Sequence, residues 1–207
     1  IFSAFCDYLT VEGNQASRSG EQHGIYASNS ADHPVIRGNT VWGNAMCGIH
    51  MNGDISQGGD GVISNALVEN NYIHDNGLAG GSAINGDGVA DSVIRNNVLD
   101  NNHASGISLY DIDGGAPSTG NLVINNTIRM ASTARFAVNI QDGSTHNTLR
   151  NNILLDTVSG RCAIDISSDS LSGLSADHNA GSDAMSIDGN MKTISSPGDR
   201  WRFINAI

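Results

Sequence analysis

"PVIRGNTVWGN", residues 34–44, places two short alternating apolar segments on either side of a glycine–asparagine step. The arrangement returns as "ALVENNYIHDN" at 66–76 and "SVIRNNVLDNN" at 92–102, and more briefly as "LTVEGN" at 9–14, "LVINNTIRM" at 122–130 and "TLRNNILLD" at 148–156. Between these copies runs a second motif, a small residue followed by an alternating strand: "IFSAF" (1–5), "HGIYASNS" (23–30), "CGIHMNGD" (47–54), "GSAINGDG" (81–88), "SGISLYDIDG" (105–114), "FAVNIQDG" (136–143) and "CAIDISSD" (162–169). The two motifs alternate without a break. Roughly 24 residues separate Ile25 from Ile49 and Ile84 from Ile107, and a unit that short cannot bury its own apolar face. Successive units must stack, which predicts an all-β solenoid of about seven coils.

Two columns of polar residues support the stacking. Asn14, Asn39, Asn71, Asn97, Asn126 and Asn152 occupy one repeat position, where each amide can bond its copy one coil away at the strand spacing of about 4.8 Å. Just before them run Glu12, Arg37, Glu69, Arg95, Ile124 and Arg150, so opposite charges face each other between several adjacent coils. That gives these arginines a structural task.

Composition agrees. The 207 residues hold 25 glycines and three prolines with few aromatics, which favours short strands and tight turns over helices. The net charge of -11, with ten Lys plus Arg, leaves no basic surface for nucleic acid. No apolar run is long enough to span a membrane, and no signal peptide opens the chain. Cys6, Cys47 and Cys162 lack metal or disulfide spacing and read as buried small hydrophobes.

The alternation of "GIxx" with "IxxNxIxxN" strands resembles the right-handed parallel β-helix proteins over nearly the whole chain, 1–191, and within them the bacterial polysaccharide lyases and alginate C5-epimerase modules. That resemblance implies a secreted or periplasmic protein acting on a polysaccharide. Ile1 aligns with Ile25, so the chain is expected to lack N-terminal coils, and its open edge could stack end to end on another chain. The tail 192–207, with Trp201 and Phe203, breaks the repeat as a C-terminal cap would.

If Ile25, Ile49, Ile84, Ile107, Val138 and Ile164 point inward, the next residue and the third along point outward. One outward column is then Tyr26, His50, Asn85, Ser108, Asn139 and Asp165; the other is Ser28, Asn52, Asp87, Tyr110, Gln141 and Ser167. Insertions "DISQGGDGVIS" (54–64) and "DIDGGAPSTG" (111–120) leave the coil at one corner on either side of the Ile84 strand, so they should wall a cleft over it. On its floor His50, Asp87 and Tyr110 are the candidate catalytic residues, with Tyr26, Asn52, Asn85, Ser108, Asn139 and Gln141 binding sugar. His50 or Tyr110 would take a proton from the carbon beside a uronate carboxylate while the other protonates the glycosidic oxygen or the opposite face, and Asp87 would orient His50 or bind a cation. His23 reads as a turn hydrogen bond; His74, His103, His146 and His178 read as turn residues without a functional part.

No Lys or Arg falls in these columns, yet elimination on a uronate needs its carboxylate neutralised. Calcium held by Asp54, Asp60, Asp87, Asp111 or Asp113 would serve. The alternatives are a glycoside hydrolase using Asp87 with Asp111 or Asp54, and a non-catalytic glycan-binding or fibre-forming β-helix.

Overall fold

A computed structural model describes residues 1–156, 158 and 161–181, and beyond them the strands Met185–Ile187, Asn190–Met191 and Arg202–Ala206. The molecule is an all-β parallel solenoid of about seven turns. One nine-stranded sheet stacks Phe2–Ala4, Ile25–Ser28, Ile49–Asn52, Ser82–Asp87, Ser105–Tyr110, Phe136–Ile140, Ile164–Ile166 and Met185–Ile187 in parallel, and ends on the antiparallel Asn190–Met191. The register is that of the repeat: Ile25, Ile49, Ile84, Ile107, Val138 and Ile164 are successive partners, all buried.

The remaining two faces carry the asparagine motif. Strands such as Val35–Arg37 and Thr40–Trp42 lie either side of a two-residue corner whose first member, Gly38, Asn70, Asn96, Asn125 or Asn151, takes a positive φ. Glycine and asparagine tolerate that left-handed conformation, which explains the recurring GN and NN pairs. The second member turns inward. Oδ1 of each asparagine accepts both the backbone and side-chain N–H of its neighbour in an unbroken run from Asn14 through Asn39, Asn71, Asn97, Asn126 and Asn152 to Asn179. Glu12–Arg37 and Glu69–Arg95 pair at 2.9 and 2.8 Å, while Arg150 turns to Asp177 at 3.3 Å.

A second ladder escapes the sequence reading. Asn44, Asn76 and Asn102 bond in the same way at the next corner, and Asn121 with Asn147 form a third. In the last complete coil one seven-residue strand, Ser175–Gly181, pairs with both Thr148–Arg150 and Ile153–Leu155 and so joins the two faces into one sheet.

Three expectations change. Cys47 and Cys162 are buried, but Cys6 is exposed. His74 lies in the strand Tyr72–His74, stacked against the Trp42 and Tyr72 rings and paired with Asp75 at 2.7 Å, and His178 also lies in a strand. Of the tail, Arg202–Ala206 pairs antiparallel with Ser175–Gly181; Trp201 lies outside the described residues.

Candidate active site

The two insertions do not stand apart as walls. They meet over the end of the Ser82–Asp87 strand: Ile55 N–H donates to the Asp113 carbonyl at 2.9 Å and Gly115 N–H to the Gly61 carbonyl at 2.8 Å. A Cβ on Gly115 would sit 2.1 Å from the Asp60 carbonyl oxygen, so only glycine permits this approach. Beneath the junction Asp87 is 2% exposed, and its carboxylate accepts the amides of Ile112, Asp113 and Gly114 at 2.9, 3.0 and 3.1 Å. Three of its roughly four acceptor positions are taken by the loop, and it makes no hydrogen bond to His50. The outward columns are therefore largely covered: Asn52, Asn85, Asp87, Ser108 and Asp165 are all buried.

An open depression lies on the other side of Tyr110, a pocket of about 250 Å³ over the strands Ser82–Asp87, Ser105–Tyr110 and Phe136–Ile140. Asn85, Ser108, Tyr110, Asn139 and Gln141 line it, with Asp142 as its one carboxylate. Asn85 Nδ2 donates to Tyr110 Oη, which leaves the phenol's own proton free for another acceptor. Burial, reinforced by the negative charges of Asp87 and Asp113, raises the Tyr110 pKa, so it is a neutral proton donor at neutral pH. Ser82 and Ser108 hydroxyls bond at 2.7 Å, and Gln141 donates to Asn139 at 3.0 Å.

The pocket also holds a cation the sequence reading lacked. Arg135 lines it, and among the described residues no carboxylate pairs with its guanidinium, whereas Arg37, Arg95, Arg129 and Arg150 are all ion-paired. It stands at the corner just before the Phe136–Ile140 strand, outside the alternating columns, where a column-based search could not find it.

His50 does not reach this pocket. Its ring stacks on Tyr26 at 4.8 Å and 8°, and its Nδ1 lies 3.0 Å from Nε2 of His23. His23 makes the expected turn contact, accepting the Cys47 backbone N–H on Nδ1 at 3.2 Å. That acceptor role puts the proton of neutral His23 on Nε2, aimed at His50 Nδ1, so the His50 proton sits on Nε2. Nε2 of His50 is buried without a partner. Burial and the neighbouring His23 push the His50 pKa down to about 3, and burial lowers that of His23. Tyr26 and Asn52 belong to this group too, joined at 3.4 Å. The triad His50, Asp87 and Tyr110 is thus split: His50 joins His23 and Tyr26, Asp87 is capped by the loop, and Tyr110, its register partner, faces the pocket.

The aspartates expected to hold calcium are also dispersed. Asp54 accepts from the Ser56 hydroxyl at 2.5 Å, Asp60 from the Val62 amide at 2.9 Å, and Asp87 from the loop. Among the described residues no three of Asp54, Asp60, Asp87, Asp111 and Asp113 bring their carboxylates together, so this set does not form a calcium cage. Asp111 stands instead near Asp87 and Asp142, and burial followed by those two charges raises its pKa.

A model of the right-handed beta helix region matches residues 1–189. The chain belongs to the right-handed β-helix family. No curated protein matches it. Within this β-helix the polar pocket on the nine-stranded sheet is the candidate site, with Tyr110 and Arg135 among its lining residues. No helix among the described residues is long and apolar enough to cross a membrane.

Proposed function

We propose that this β-helix is a carbohydrate-active protein, a lyase or C5-epimerase acting on an acidic polysaccharide such as alginate or a pectin-like polyuronate outside the cytoplasm. The observation that carries the reading is the unpaired Arg135 in the same pocket as the protonated Tyr110. A uronate carboxylate against Arg135 would have its charge offset as the adjacent C5–H bond breaks, which is where the transition state accumulates negative charge. Asp142, the pocket carboxylate, accepts that proton. Tyr110 donates its own, to the glycosidic oxygen as the C4–O bond breaks in a lyase, or to the opposite face of C5 in an epimerase. Asn85 steadies the phenolate that results, through the hydrogen bond it already makes. Asn139, Gln141 and Ser108 supply sugar hydroxyl contacts. No step needs the dispersed aspartates.

The test is incubation with polyuronates and neutral glycans, following unsaturated-uronate absorbance, reducing ends and, by NMR, C5 configuration. Absorbance or inversion confined to polyuronates and lost in Arg135→Ala is the expected result; activity on neutral glycans alone would sink it. A second reading, glycoside hydrolysis, draws on one observation: Asp111, raised toward its protonated form, stands near Asp142, an acid and base of the kind hydrolysis requires. It predicts reducing ends without unsaturation.

A further inference from the structure

We propose that His23, Cys47 and His50 form a binding site for a single borderline-to-soft divalent cation of the zinc class, separate from the sugar pocket. One ligand atom from each residue lies within 4.8 Å of the other two. The residues converge because Ile25 and Ile49 are register partners: His23 and Cys47 each stand two positions before these isoleucines on successive coils, and His50 follows directly on the upper one. The donor set of two imidazoles and a thiol selects zinc, cobalt or copper over calcium or magnesium.

The spacing is close to that of a filled site. Two nitrogens on one tetrahedral zinc stand roughly 3.3 Å apart, given metal–nitrogen bonds of about 2.0–2.1 Å. His23 Nε2 and His50 Nδ1 are 3.0 Å apart with a single proton between them. Drawing in the sulfur needs a contraction of about an ångström, since zinc holds sulfur at about 2.3 Å.

His50 Nε2 keeps its proton and stays buried without a hydrogen-bond partner, so Nδ1, facing His23, is the nitrogen offered to the ion. Gly81 packs directly on the sulfur, where a Cβ would lie 2.6 Å from Cys47 Sγ, and His23 lines an open pocket of about 310 Å³ with Ile1, Phe2, Gln22 and Tyr26, the side from which an ion would approach.

Loading has defined proton chemistry. Cys47 binds as the thiolate and releases its proton to solvent. A His23 ring bound through Nε2 carries its remaining proton on Nδ1, so the Cys47 amide must swing away from it. With two neutral imidazoles and one thiolate the cation keeps an open position, which water can take.

The experiment uses the full chain, freed of metal with a chelator and titrated with Co2+, then Zn2+. The expected result is saturation near one equivalent, with a thiolate-to-cobalt charge-transfer band and the visible bands of a tetrahedral ion, displaced by Zn2+. Cys47→Ser should abolish the charge-transfer band, and His23→Gln should weaken binding at least tenfold. Asp60→Asn should change neither. Zn2+ should raise the Tm of the wild type clearly more than that of His23→Gln at the same concentration, a readout that stands even if Cys47→Ser folds poorly. Absence of saturable binding, or a cobalt spectrum indifferent to both variants, would overturn the site. None of these readouts involves Tyr110 or Arg135, so failure of the lyase reading leaves the test intact.

Discussion

Asn85 and Tyr110, on adjacent coils, share one hydrogen bond in which the amide donates and the phenol accepts. The direction matters more than the contact, because it frees the tyrosine proton for the pocket. Tyr110→Phe should therefore lower turnover about a hundredfold or more while leaving the circular dichroism and Tm close to wild type. Asn85→Ala should have a smaller effect on kcat; equal effects would mean that the pair serves structure.

Arg135 carries the substrate preference in this account. Arg135→Ala should cut kcat/KM on a polyuronate by about two orders of magnitude, and Arg135→Lys should recover only part of it, since a point charge cannot grip a carboxylate through two parallel bonds. Weak binding of a neutral glycan, measured calorimetrically, should be unchanged in both. A uniform loss across charged and neutral sugars would contradict the assignment.

Asp87 is expected to act on stability. Asp87→Ala leaves three loop amides without their acceptor and should cost about 3 kcal/mol in denaturant unfolding. Proteolysis at 111–115 should accelerate in parallel. A variant as stable as wild type would show that the loop finds other partners.

The ladder gives a companion prediction. Asn97→Ala removes the acceptor of both N–H groups of Asn71, and should destabilise by about 3 kcal/mol with no effect on the pocket.

Alkaline pH probes Tyr110 directly. Its folded pKa is raised above the unfolded value near 10, so the unfolded chain loses this proton first. The contribution to stability is intact below about pH 10 and is lost as pH rises beyond it, with a slope of up to about 1.4 kcal/mol per pH unit. The difference in unfolding free energy between wild type and Tyr110→Phe, followed from pH 8 upward, should show this fall. A flat difference would place the hydroxyl in water.

The solenoid was legible because its signal is repeated. Each asparagine corner combines a residue that accepts positive φ with one that bonds its own copy, and several imperfect copies reinforce one another. Asn44, Asn76 and Asn102 carried the same signal at the next corner, in "VWGN", "IHDN" and "LDNN", and could have been read the same way. The site was less legible, since alternation says which side of a sheet a residue faces and nothing about what covers it. Asp87 does face outward, but the 111–115 loop folds onto it. Arg135 and His23 sit at corners, outside any column, and only the coordinates bring one to Tyr110 and the other to His50.

In the asparagine ladder each interior member accepts from the asparagine on one side and donates to the asparagine on the other, while its amide also reaches back to a backbone carbonyl, a group any residue supplies. A coil duplicated or deleted within such a stack meets the same chemistry at both new junctions. The number of turns can thus drift during evolution with no compensating substitution at this corner, while the pocket, assembled from three particular coils, cannot be moved along the stack in the same way.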